Sequence, residues 1–227
     1  MNNNRGTLFV VSTPIGNLGD ITYRAVEVLK SVDFIAAEDT RHSRIILKHY
    51  KFNNSLLSYH ENNSSKQIPI ILKKINSGLN IALISDAGTP GISDPGYLII
   101  RECIQHEIRI ECLPGPTACI PALVQSGLPC DRFTFEGFLP PKKGRKTRII
   151  EISHEKKTSI IYESPHKILK TLKQFYEICP DRKIVVIKEL TKLFETTYRG
   201  SIKDVIGQIS LSNIKGEFVI ILDGKKK

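Results

Sequence analysis

Short apolar runs alternate along this chain with stretches whose apolar residues recur at helical spacing. The runs Leu8 to Thr13 (LFVVST), Asp33 to Asp39 (DFIAAED), Ser55 to His60 (SLLSYH), Ile81 to Ala87 (IALISDA) and Ile108 to Gly115 (IRIECLPG) predict strands. Helices are predicted between them at Ile21 to Ser31, with Asp20 as its cap, Arg41 to Tyr50, Gln67 to Ser77, and Gly96 to His106 behind Pro95. The alternation β-α-β-α implies a parallel sheet covered by helices. A further helix, Thr117 to Ser126, is expected to bend at Pro121. Gly127 and Pro129 then mark a change of character. Beyond them RFTFEGFLP, SIIYES, KIVVIKEL and EFVIILD read as strands, and Pro165 to Cys179 and Ile202 to Ile209 as helices. The expected architecture is α/β in two domains: 1–116 around a parallel sheet, and a basic 117–227.

Charge sharpens that division. The chain of 227 residues carries +10, yet residues 1–116 hold 12 basic against 11 acidic side chains and the remainder 21 against 12. A polyanion such as nucleic acid is the expected partner, met by the second half. Five cysteines without a CxxC pair argue against a disulfide framework and a thiolate zinc site, and fit a reducing cytoplasm. The apolar run near the amino terminus is too short for a signal sequence. No stretch approaches the roughly 18 apolar residues that span a bilayer, so a soluble protein without membrane contact is expected.

The chain has no GxxxxGK[ST], GxGxxG, HExxH or GxSxG motif. Instead, Gly/Pro-rich turns follow four predicted parallel strands, where open α/β sheets bind ligands. They are TPIGNLGD (Thr13 to Asp20), EDTRHS (Glu38 to Ser43), SDAGTPGISDPG (Ser85 to Gly96) and LPGPTACIPAL (Leu113 to Leu123). The first and fourth read equally well as a tight turn and a helix start, and the second as a solvated, capped helix start. The third is too rich in Gly and Pro for chain reversal alone; its backbone groups and Asp86 suit a ligand bearing amino or hydroxyl groups. A basic run, PPKKGRKTR (Pro140 to Arg148), follows the aromatics Phe133, Phe135 and Phe138. It reads as a solvated loop or as a phosphate-binding one.

Taken in order, VSTPIGNLGDITYRA, EDTRHS, SDAGTPGISDPG, LPGPTA, YESPHK, KELTKLFE and GEFVIIL resemble the ribosomal RNA small subunit methyltransferase I family. This is the 16S rRNA (cytidine(1402)-2'-O)-methyltransferase branch of the tetrapyrrole methylase superfamily. The resemblance implies a two-domain methyltransferase, not of the Rossmann type, that binds S-adenosylmethionine between its domains and works as a homodimer on 16S rRNA. It also implies cofactor contacts from Pro14, Ile15, Asp86, Ala87, Ile92, Thr117 and Ala118, and from Tyr162, Glu217 and Phe218 of the second domain. The superfamily's usual GDP triplet stands here as Ser85-Asp86-Ala87.

Methyl transfer to a ribose hydroxyl requires collinear groups, exclusion of water and a proton acceptor within about 3 Å, but no metal. His60, Glu61, Asp39, Glu163 and the pair Lys188-Glu189 are the acceptor candidates. Glu163, Lys188 and Glu189 are the catalytic choice, since they end neighbouring strand-like runs; a surface salt bridge is the competing reading of the last two. Arg41, Lys142, Lys143, Arg145, Lys146 and Arg148 are the expected RNA contacts. Cys112 and Cys119 are expected to be structural. The competing functions are C-methylation of a tetrapyrrole and non-catalytic RNA binding in ribosome assembly.

Overall fold

The computed structural model describes residues 5–226, and the chain divides at Thr117/Ala118 into two compact units. The first contains β1 (Leu8–Val11), α1 (Tyr23–Ser31), β2 (Phe34–Ala37), α2 (Thr40–His49), β3 (Ser55–Ser58), α3 (Ser64–Asn76), β4 (Ile81–Ile84), α4 (Tyr97–Gln105) and β5 (Ile110–Leu113). All five strands are parallel, in the order β3-β2-β4-β1-β5. Strand alternation splits the core into two layers. Val11, Ile35, Ala37, Ala82 and Ile84 pack with Ala25 and Leu29 of α1 and Leu47 of α2. Leu8, Ala36, Ile81 and Leu83 pack with Ile71 and Ile75 of α3 and Ile99 of α4. Helices on both faces explain why the central strands read as unbroken apolar runs.

The caps differ in detail from the sequence reading. Asp20 closes a short 3-10 turn, Leu18–Asp20, and the cap of α1 is Thr22, whose hydroxyl accepts the Ala25 N–H at 3.1 Å. Asp39 caps α2 by accepting the Arg41 N–H at 2.8 Å.

The second unit contains α5 (Cys119–Ser126), β6 (Phe133–Phe138), α6 (Arg145–His154), β7 (Thr158–Glu163), α7 (Ile168–Ile178), β8 (Lys183–Lys188), β9 (Thr196–Ser201), α8 (Ile202–Ser210) and β10 (Phe218–Leu222). Its sheet, β6-β7-β10-β8-β9, is parallel between β6 and β7 and antiparallel elsewhere. Pro121 lies in the first turn of α5, where a missing N–H costs no helical hydrogen bond, so the expected bend has no cause. Two elements escaped the sequence reading. The edge strand β9 (TTYRGS) is mostly polar, with only Tyr198 deeply buried. In α6, charge hides a helical stripe of buried Arg145, Ile149 and Ile152.

Candidate cofactor and substrate site

At the carboxyl edge of the parallel sheet the turns after β1, β4 and β5 are stitched together. Thr13 and Gly88 exchange backbone hydrogen bonds at 2.9 Å each, and Thr13 Oγ1 donates to the Ser85 carbonyl at 3.1 Å. Thr89 Oγ1 donates to the Pro116 carbonyl at 3.0 Å, so the 2.9 Å contact with Ser12 Oγ has Ser12 as donor. At Gly115 the first and fourth turns come so close that a Cβ would stand 2.7 Å from Ser12 Cβ. The connections leaving β1 and β4 run in opposite directions across the sheet, which makes this the strand-order reversal where such folds bind ligands. Pro14, Ile15, Asp86 and Ala87 meet here, and Thr117 follows the Pro116 carbonyl that Thr89 holds. Ile92 is exposed further along the third turn. Ala118 begins the second unit.

The second turn joins through Asp86, whose Oδ1 accepts the Asp39 N–H at 3.0 Å. Arg41 clamps the Asp39 carboxylate with its Nε and Nη2, the latter at 2.6 Å. The Arg41 hydrogen bonds hold Asp39 well below the usual carboxylate range. Arg41 is thus exposed but already paired, and a phosphate there must compete with Asp39.

Beside this crest, after β2 and β3, lies a pocket of about 580 Å³ walled by Glu38, Tyr59, His60, Glu61, Asp94 and Tyr97, among others. Glu38 Oε2 is buried without a hydrogen-bond partner in the protein. Burial, and after it the neighbouring charge of Asp86, push the Glu38 carboxyl above its ordinary pKa. Leaving a buried acceptor unsatisfied costs about 1–3 kcal/mol. The acidic second turn carries this signal in the sequence, but only the fold brings it to Tyr59 and Tyr97.

In the second unit the sequence candidates gather at one sheet edge. Glu163, Phe218 and Lys188 lie side by side across β7, β10 and β8, with Tyr162 and Val219 the next pair. Their side chains are nevertheless committed. Glu163, 3% exposed, accepts from Arg145 Nη2 at 3.1 Å, Thr171 Oγ1 at 2.6 Å and the Ser164 N–H at 2.7 Å. Lys188 Nζ donates to the Asn213 carbonyl at 2.6 Å. Glu189 Oε1 accepts from Lys192 Nζ and from the Glu217 N–H, both at 2.9 Å, and Lys192 reaches Glu217 Oε2 at 3.0 Å. Partial burial opposes ionisation of Glu189, but Lys192 and the Glu217 backbone prevail and hold its pKa below the ordinary value. A lowered pKa makes a poor proton acceptor. In this structure all three side chains, those of Glu163, Lys188 and Glu189, are thus held by partners within the protein. Glu189 gains its stabilising contact only when ionised; acidification through about pH 4.5 and below will weaken the clasp, and the urea midpoint of Glu189→Gln will fall less steeply there than that of the parent.

The basic segment also needs correction. Arg145, expected to face phosphate, is 5% exposed; besides Glu163 it donates to Gln174 Oε1, Thr171 Oγ1 and the Pro140 carbonyl. As the first residue of α6 it turns inward because Gly144, at φ 81°, redirects the chain. Arg148 pairs with Glu151 at 2.8 Å and lies beside Glu136. Lys142, Lys143 and Lys146 are exposed. A bulge at Glu136–Gly137, with Gly137 at φ 59°, puts Phe135 and Phe138 on one face, both edge-on to Tyr162 at 5.1 and 5.6 Å. Cys112 is exposed, not enclosed by the apolar runs beside it, whereas Cys119 is buried.

Among the described residues no cluster of metal-ligating side chains occurs, and no helix is long and apolar enough to cross a membrane. The family model for tetrapyrrole (corrin/porphyrin) methylases matches residues 7–206. Solved structures with the same fold include a cobalt precorrin-4 methyltransferase, at TM-score 0.70 and 17% identity over 96% of this chain and 94% of that one. Another is a Thermus thermophilus uroporphyrin-III C-methyltransferase complexed with S-adenosylhomocysteine, at TM-score 0.67 and 14% identity over 95% and 97% of the two chains. Far nearer in sequence is the ribosomal RNA small subunit methyltransferase I of Escherichia coli O157:H7, 46% identical over 99% of this chain and 80% of that protein. The Thermotoga maritima protein of the same name is 41% identical over 97% of this chain and 100% of its own length. The chain belongs to the tetrapyrrole methylases and, within them, to the ribosomal RNA small subunit methyltransferase I family.

Proposed function

We propose that the protein methylates the 2'-hydroxyl of a cytidine, position 1402, in the 16S rRNA of the small ribosomal subunit, with S-adenosylmethionine as donor. Near-full-length identity of 46% to a relative whose name states ribosomal RNA methylation carries this reading. The crest suits the cofactor: Asp86 accepts from an amino or hydroxyl group and its charge favours a cation, while Pro14, Ile15 and Ile92 offer apolar contact. When bound, the cofactor supplies a methyl group on positively charged sulfur. The crest's part is to fix its orientation and exclude water. The ribose proton leaves to a group on the substrate side; His60 and Glu61 on the pocket wall are the candidates not held in an ion pair. Ala118, Tyr162, Glu217 and Phe218 are assigned to cofactor contact by the resemblance of the motifs that contain them. The reading implies a cytoplasmic homodimer.

Radiolabelled methyl transfer to purified 30S subunits lacking the modification, with naked 16S RNA and a tetrapyrrole precursor in parallel, tests it. Label recovered as 2'-O-methylcytidine is the expected result. Label in the tetrapyrrole, or cofactor binding without label in RNA, would replace it with one of the competing functions. Lys142, Lys143 and Lys146 are assigned to phosphates. Replacing all three with glutamate will weaken RNA binding and lower the slope of log affinity against log salt by roughly 2, at about 0.7–0.9 per lost contact. Cofactor affinity will stay unchanged; an unchanged salt slope would remove these lysines from the interface.

A further inference from the structure

We propose that the pocket after β2 and β3 receives the unstacked target base, with Glu38 accepting a hydrogen bond from the exocyclic amino group of cytosine and Tyr97 offering a stacking face. This rests on the rRNA reading above and assigns it a specificity-determining residue. The pocket, about 580 Å³, falls in the range that holds a nucleoside. Glu38 Oε2 is withdrawn from solvent and unmatched within the protein, a poor arrangement for stability and a useful one for a ligand that brings a donor. Tyr97, on the first turn of α4, is 66% exposed at the rim, with the Arg101 guanidinium 5.7 Å from its ring centroid, and an aromatic ring so exposed suits stacking on a planar partner. Pocket and crest share the loop from Ser85 to Gly96. Asp86 and Ile92 belong to the crest, and Gly91 and Ser93 to Tyr97 wall the pocket, so the two sites adjoin along one loop.

The chemistry selects cytosine over uracil. Cytosine presents an amino donor where uracil presents a carbonyl acceptor. Facing Glu38, the first pairs and the second sets oxygen against oxygen, the repulsive half of discrimination. Taking the base out of its stack is the usual route for enzymes that act on a single nucleotide.

The experiment compares kcat/KM for methyl transfer to 30S subunits carrying either the native target cytidine or a uridine in its place, with cofactor affinity measured by calorimetry. Glu38→Met fills the same space without an acceptor, and Glu38→Gln keeps one. The parent will favour cytidine. Glu38→Met will lose about 10- to 100-fold of that preference with cofactor affinity within about twofold of the parent. Glu38→Gln will retain more of the preference than Glu38→Met. An unchanged cytidine-to-uridine ratio in Glu38→Met overturns the proposal whatever happens to the absolute rate. A parallel loss of cofactor affinity overturns it too, because the pocket would then belong to the cofactor. A parent protein that labels no RNA overturns the rRNA reading itself, an outcome distinct from the other two.

Discussion

Asp86→Ala will weaken S-adenosylmethionine binding by about 10- to 150-fold, the loss of one charge-assisted hydrogen bond, and methyl transfer at sub-saturating cofactor will fall in proportion. Arg41 clamps the Asp39 carboxylate directly, whereas Asp86 forms no ion pair among the described residues and its Oδ1 receives the Asp39 N–H. Alanine removes that acceptor as well, leaving the Asp39 N–H to solvent and loosening the link between the second and third turns. Asp86→Asn separates the effects, since its amide oxygen can still accept the Asp39 N–H while the negative charge is gone. Calorimetric titration with the cofactor, beside thermal unfolding, reads both. The asparagine variant will melt near the parent temperature and still bind weakly. Parent-like affinity in both variants would take Asp86 out of the cofactor site.

The second large effect concerns stability. Arg145→Met will destabilise the protein by about 3–5 kcal/mol, because it strands the Glu163 carboxylate in a buried site. For a chain of this size that lowers the melting temperature by about 6–20 °C. The side chains of Arg145 and Glu163 are only 6% and 2% exposed, so solvent cannot take over the lost pairing. Adding Glu163→Leu will recover much of the loss, as expected when an ion pair is exchanged for packed apolar groups. Thermal and urea unfolding of the single and double variants measure the coupling. Were Arg145 a phosphate ligand, Arg145→Met would instead leave the melting temperature unchanged and weaken RNA binding.

The contrast with Lys142 and Lys143 shows where sequence reading stops. Five cations in nine residues look alike in composition, yet Gly144 and the start of α6 turn one of them inward and leave its neighbours in water. Burial of a charge is decided by a partner distant in the chain. Here Glu163, Thr171 and Gln174 supply it, and no local pattern reports them. The same holds for Glu189, legible as a strand-end carboxylate but committed to Lys192 and the Glu217 backbone only once β8 and β10 pair.

Local physics made much else legible. The five apolar runs of the first half and its helical stripes each depend on neighbours within one element, so their period alone predicts the parallel sheet and its helices. Gly/Pro density after the strands marked the crest, because backbone conformation at such turns is a property of the residues themselves. Strand order is different in kind. That β4 inserts between β2 and β1, joining Thr13 to Gly88 and Asp86 to Asp39, comes from long-range pairing. The sequence by itself therefore determined the α/β class, the two-part division, the excess charge of the second half and the motifs of the family. Tertiary structure alone decided which charges are buried, which carboxylates are paired, and that Glu38 shares a pocket with Tyr59 and Tyr97. Pairing and burial depend on contacts between residues far apart in the chain, which no local window of sequence contains.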